Sequence, residues 1–209
     1  MSLEELRERN VQLVTEKALE CFVERGIDNT RVSDIAKSAG LTERSVYRYF
    51  PTKSDIVIAA ALCYWARAKD YIASQMVEHS GDAMTGIEQI ELILQSYANI
   101  LFVDPKGIRF SLDAELALNN VGKSHKVFNR PPERFEAHVG PLSNAVERGL
   151  ADGTVNPNAD VKQLYYNAYD SILGLMQRLT LGVPSVNEVD AHARLKQMCR
   201  MFTQAFAAV

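Results

Sequence analysis

Apolar residues recur every three or four positions along almost the whole chain, and turn-forming residues cut that rhythm into segments of helical length. Val11, Val14, Ala18, Cys21 and Phe22 share one face, which predicts a helix over roughly Leu3 to Arg25. Val32, Ile35, Ala36 and Ala39 give a second, shorter face, and Ser45 to Phe50 continue as a third helix. A long helix is predicted from about Ser54 to His79. Its apolar run Ile56 to Ala66 implies a helix buried on all sides, and is too short to span a bilayer. Gly81 to Gly86 is a break. Further helices are predicted near Ile87–Phe102, Lys106–Asn119, Glu133–Ala151, Asp160–Leu181 and Val186–Ala208. The breaks between them are Asp104-Pro105, Arg130-Pro131-Pro132, Asp152-Gly153 and Gly182-Val183-Pro184. No strand alternation, internal repeat or low-complexity tract interrupts the pattern, so the fold class is all-α.

The signals between Thr30 and Lys53 are the densest. Thr30 is expected to cap a helix by accepting a bond from an otherwise unpartnered backbone N–H. Gly40 sits where a helix end calls for positive φ, and Leu41 can supply the apolar contact of that end. Thr42 caps again, and Pro51 stops the helix because the residue before a proline is pushed out of the α region. Thr52 to Asp55 has the form of a capping box opening the next helix. Ala36, Gly40 and Val46 place small and branched residues where two crossing helices touch, the pattern of a helix-turn-helix. Its second helix is expected to lie in the major groove of DNA.

Charge sharpens this. The chain carries −3 overall. Residues 31–53 hold five basic side chains against two acidic ones, whereas residues 1–28 hold four against seven. The positive charge therefore concentrates on the proposed reading unit. Phosphate attraction is screened over about 10 Å, so this local balance outweighs the net.

These residues carry a resemblance. Phe22-Val23-Glu24-Arg25-Gly26, Val32-Ser33-Asp34-Ile35-Ala36, Ala39-Gly40-Leu41-Thr42, Ser45-Val46-Tyr47-Arg48-Tyr49-Phe50 and Lys53 together resemble the DNA-binding domain of the tetracycline-repressor (TetR) family of bacterial transcription regulators. The likeness spans residues 7–57; beyond it only length and helical content match. It implies an N-terminal three-helix helix-turn-helix domain, residues 1–53, and a C-terminal helical effector-binding and dimerisation domain, residues 54–209. The implied function is a sequence-specific, ligand-responsive repressor, acting as a homodimer on a near-palindromic stretch of double-stranded DNA in the cytoplasm.

Site roles follow from matching positions and side-chain chemistry. Thr42 and Lys53 are expected to hold phosphates. Tyr47 and Tyr49 can reach backbone oxygens through their hydroxyls. Arg44 can fork onto guanine O6 and N7, although many members of the family carry a small residue there. Glu43 and Ser45 flank it, Arg48 lies on the same helix, and Val32 and Ser33 match positions that approach the groove. For each, the plainer alternative is a solvated or core residue.

The last two helices are apolar on more than one side, which suits packing against more than their own body, and the resemblance implies that they form a four-helix bundle with a second copy. The expected dimer surface uses Leu164, Ala168, Ile172, Leu173, Leu195, Met198, Phe202 and Ala205; a plain monomeric core is the alternative. The resemblance also implies a small organic effector, whose candidate lining is Tyr64, Trp65, Arg67, Tyr97, Phe102, Phe110, Phe128, Phe135, His138, Tyr166, Tyr169 and Met176, any of which could equally be ordinary core.

Catalytic readings find little support. His79, His125, His138 and His192 lie apart with no metal-ligand spacing. Asp113 and Glu115 do not share a helical face. Gly149 to Gly153 reads as a helix end. Cys21, Cys63 and Cys199 are an odd, scattered set that fits a reducing compartment. No cofactor, metal or membrane is expected. The competing function is an effector-binding or interaction module of the same fold whose DNA binding is lost or needs a corepressor.

Overall fold

The computed structural model describes residues 2–79, 84–123, 140–182 and 190–208. Among them the chain forms nine α-helices: α1 (Leu3–Arg25), α2 (Val32–Ser38), α3 (Glu43–Tyr49), α4 (Lys53–His79), α5 (Gly86–Val103), α6 (Pro105–Asn120), α7 (Pro141–Asp152), α8 (Val161–Thr180) and α9 (Ala191–Phe206). The all-α expectation holds, and so do most boundaries to within a residue or two. The expected starts of α7 at Glu133 and of α9 at Val186 fall outside the described residues.

Packing groups the described residues into two compact units. One comprises residues 2–66 and 106–123; the other comprises residues 67–79, 84–105, 140–182 and 190–208. The first half of α4 and all of α6 but Pro105 thus pack with the head. This grouping by contact does not coincide with the division at residue 53, which was drawn on function.

In the head, Val14, Ala18, Leu19, Cys21 and Phe22 of α1 are buried together with Val32, Ile35 and Ala36 of α2 and Val46 of α3. Each large side chain taken fully out of water contributes about 1.5–3 kcal/mol. A Phe22–Phe110 stack brings α6 into this core, with ring centroids 6.1 Å apart. Phe110 also meets Tyr64 edge-on at 6.1 Å, and Tyr64 meets Trp65 at 5.0 Å.

One local assignment changes. Thr30 does not cap α2. It is fully buried, and its hydroxyl donates backwards to the carbonyls of Gly26 at 2.8 Å and Cys21 at 3.3 Å. Its hydrogen bonds therefore serve the exposed carbonyl end of α1. The N-cap of α2 is Arg31, whose backbone N–H donates to Asp34 Oδ2 at 2.9 Å.

The second unit is built on α5, which packs against α7, α8 and α9. Thr85 and Glu88 form a capping box at its start. The end of α7 and the turn just past it add to it: Asp152 Oδ2 accepts from Gly86 N–H at 2.7 Å, and Thr154 Oγ1 accepts from Ile87 N–H at 3.2 Å. This is possible because two glycines let the backbones touch. A Cβ on Gly86 would stand 2.1 Å from the backbone nitrogen of Gly149. Past α7, an isolated antiparallel bridge joins Val155 to Ala207.

Candidate nucleic-acid interface

The link between α2 and α3 folds as its residues dictate. Leu41 N–H donates to Ala36 O at 2.9 Å and Gly40 N–H to Lys37 O at 3.2 Å. These are the paired bonds of a Schellman turn, which needs a left-handed residue between them. Gly40 supplies it with φ +66. Thr42 then caps α3, accepting from Ser45 N–H at 3.2 Å and sharing a 2.9 Å hydroxyl contact with Ser45 Oγ. Phe50, the residue before Pro51, is extended at φ −127 and ψ 100, and the helix stops.

Of the residues in α3, Val46 alone is fully buried. The rest of the helix therefore presents outward: Glu43, Arg44, Tyr47 and Arg48 are exposed, and Ser45 and Tyr49 are half-buried. Ser33 is exposed on α2. Val32 is not available to a groove, because it packs in the head's core with only 6% of its surface open.

Two of the expected phosphate contacts are already engaged within the chain. Lys53 Nζ donates to the carbonyl of Ile27, tying the start of α4 to the link after α1. The Tyr49 hydroxyl accepts from Asn10 Nδ2 at 3.1 Å and from Arg48 Nη2 at 3.4 Å. The Asn10 bond first, and the Arg48 bond next, hold this phenol below the ordinary tyrosine range. The capping box at Thr52 forms as expected: Thr52 N–H donates to Asp55 Oδ2 at 3.0 Å, and Asp55 N–H to Thr52 Oγ1 at 3.2 Å.

The sequence pattern of the family described as "Bacterial regulatory proteins, tetR family" matches residues 14–60, which hold most of this interface. Over those residues the chain carries the pattern of that family's DNA-binding domain. Among similar proteins, the fatty acid metabolism regulator protein of Bacillus subtilis is 23% identical over 160 residues, 77% of each chain. The HTH-type transcriptional regulator TtgR of Pseudomonas putida is 26% identical over 191 residues, 88% of this chain and 86% of the relative. The fold is also that of the transcriptional regulator FadR from Bacillus subtilis, solved in complex with stearoyl-CoA. That match has a TM-score of 0.69 at 18% identity and covers 93% of this chain and 98% of that one.

Elsewhere the expected sites disperse. Tyr64, Trp65 and Phe110 are buried against one another in the first unit. In the second, Tyr97 and Tyr169 meet edge-on at 4.7 Å, and Met176 is fully buried. Tyr166 is half-buried beside Tyr165. Arg67 is exposed. Phe102 is partly exposed and stacks on His192 with centroids 3.5 Å apart. Phe128, Phe135 and His138 lie outside the described residues. The expected dimer surface also needs correction. Ala168, Ile172, Leu173 and Leu195 are 0–3% exposed within the single chain and have no surface left for a second copy. Leu164, Met198 and Phe202 are half-buried, and Ala205 is exposed.

Three contributors escaped the sequence reading: Asn10, Lys123 and the Ile27 carbonyl. Asn10 did leave a signal. It lies one helical turn before Val14 and two before Ala18, a polar residue on an otherwise apolar stripe.

Proposed function

We propose that this chain is a ligand-responsive repressor that binds a near-palindromic operator as a homodimer. The observation that carries the proposal is α3 itself. One buried valine seats it, a glycine turn fixes its angle to α2, and its remaining face offers arginines and tyrosines to the outside. Such a face suits a major groove, where guanidinium groups read guanine edges and hydroxyls hold phosphates.

In this reading residues 1–53 form the DNA-binding domain and residues 54–209 the effector-binding and dimerisation domain. Arg44 reads a base, flanked by Glu43 and Ser45. Thr42, Tyr47, Tyr49 and Lys53 hold phosphates. The half-open residues of α8 and α9, together with exposed Met201, meet a second copy. A small organic effector in the body shifts the spacing of the two heads and lowers operator affinity. Because α4 contributes residues to both compact units, it is the natural lever.

Selection of bound sequences from a random duplex pool tests this directly. One near-palindrome with half-sites about 34–36 Å apart is expected. No enrichment by a folded, dimeric protein would sink the reading, unless added cell extract restores binding and so reveals a corepressor.

A further inference from the structure

We infer that Asn10 of α1 is a positioning residue of the DNA interface, one that presets the Tyr49 hydroxyl to donate its hydrogen to a DNA phosphate beside α3. The inference rests on the DNA-binding reading above and deepens it.

A tyrosine hydroxyl has one hydrogen to give and two lone pairs with which to accept. At Tyr49 both acceptor positions are filled from within the chain, by Asn10 Nδ2 at 3.1 Å and Arg48 Nη2 at 3.4 Å. An amide nitrogen and a guanidinium are donors only, so neither can receive the phenolic hydrogen. No other hydrogen bond to this hydroxyl occurs among the described residues. The hydrogen is thus directed away from both donors, toward whatever acceptor arrives from outside. A phosphodiester oxygen fits that opening: it accepts, carries no hydrogen of its own at neutral pH, and is drawn in by the neighbouring positive charge.

The same residues keep that charge in place. The Arg48 guanidinium lies over the Tyr49 ring, 5.4 Å from its centroid. The fields of Arg48 and Arg7 add to the hydrogen bonds in making the phenol more acidic, hence a stronger donor. Asn10 is half-buried and extends the face of α1 that carries buried Val14 and Ala18, so the head's core fixes its position. A bond between α1 and α3 thereby prepares a contact that neither helix could make alone.

The test uses the full chain, a duplex enriched by the selection above, and fluorescence anisotropy across a range of salt. Asn10→Ala and Tyr49→Phe should each weaken binding by about tenfold, the loss of one hydrogen bond to a charged group. The double variant should bind no more weakly than either single one, because both remove the same contact. Asn10→Asp keeps the shape but offers only acceptors. It should turn the phenolic hydrogen inward and weaken binding at least as much, with the thermal melt of the head retained. In the free protein, NMR titration of 13Cζ-labelled tyrosine should show Tyr49 ionising at higher pH in Asn10→Ala, with Tyr49→Phe identifying its signal.

Wild-type affinity in Asn10→Ala, or an Asn10→Ala loss that simply adds to that of Tyr49→Phe, overturns the inference and leaves the DNA-binding reading standing. A wild-type protein that enriches no duplex under any condition removes both. Should Asn10→Ala fail to fold, Asn10→Asp and Tyr49→Phe carry the comparison.

Discussion

Lys123 Nζ stands 3.0 Å from Asp55 Oδ1, joining the chain just beyond α6 to the first turn of α4. Lys123 also donates to Thr52 Oγ1 at 3.3 Å, so it grips both ends of the capping box that opens α4. Asp55 carries two loads, as cap and as ion-pair partner. Asp55→Ala should therefore cost about 1–2 kcal/mol. Lys123→Ala removes the partly exposed pair alone and should cost about 0.5 kcal/mol. Urea denaturation separates them: equal losses would assign the stabilisation to the pair and leave the cap without effect. Hydrogen bonds from Thr52, then from Lys123, hold the Asp55 carboxyl below the usual carboxylate range. A depressed folded pKa means the contribution is full above the unfolded value of about 4 and vanishes as pH falls through the folded value. Wild type should thus lose its advantage over Asp55→Ala in acid.

Gly86→Ala should destabilise the second unit by about 3 kcal/mol. The added methyl meets the backbone of Gly149 and Ala145, which has no rotamer to yield. A thermal melt would show it, and a neutral result would mean that α5 and α7 can slide apart. At the same junction, bonds from Thr154 first and Gly86 next keep the Asp152 carboxyl below the usual range. Asp152→Asn should lower the melting midpoint at pH 7 and flatten its fall below about pH 4.

Arg44→Ala should cost on the order of 1–3 kcal/mol in operator binding and relax preference at one position per half-site. Tyr47→Ala should weaken binding to all sequences alike. Lys53→Ala should do the same and reduce the salt slope by about one. Because Lys53 also bonds the Ile27 carbonyl, its variant should show a small loss of head stability that Tyr47→Ala does not. Titration against specific and random duplexes distinguishes these outcomes. Sharp preference with reduced affinity in Arg44→Ala would reassign Arg44 to phosphate.

A charge tests the dimer only where the monomer can carry it. Leu173 is 3% exposed, so Leu173→Glu should unfold the body and reveal nothing about assembly. Met201 on α9 is 60% exposed. Met201→Glu should leave the melt of a dilute sample intact and give monomers by light scattering. A surviving dimer would move the interface off this face of α9.

The head was legible because its signals are local. Gly40, Thr42, Pro51 and the Thr52–Asp55 pair each act within five residues, and each does what its chemistry requires. Thr30 was misassigned because a hydroxyl in a short link can serve the helix before it as well as the helix after it. The body was legible only as helices. Periodicity says that Leu173 or Tyr97 faces something apolar, but not whether that is the chain itself, a second copy or an effector. Lys123, 68 positions from Asp55, left no trace, since a surface lysine past a helix end is ordinary in any sequence.

The bond between Cys199 Sγ and the Leu94 carbonyl spans 105 positions, whereas α1, α2 and α3 close on one another within the first fifty residues. During synthesis the helix-turn-helix head can therefore assemble early, while α5 emerges with Ile90, Ile93, Leu94 and Tyr97 still lacking the later helices α7, α8 and α9 that pack on it. Until α9 leaves the ribosome, the nascent chain carries a nearly finished helix-turn-helix head and an open apolar stripe. The period of aggregation risk, and of need for a chaperone, belongs to α5.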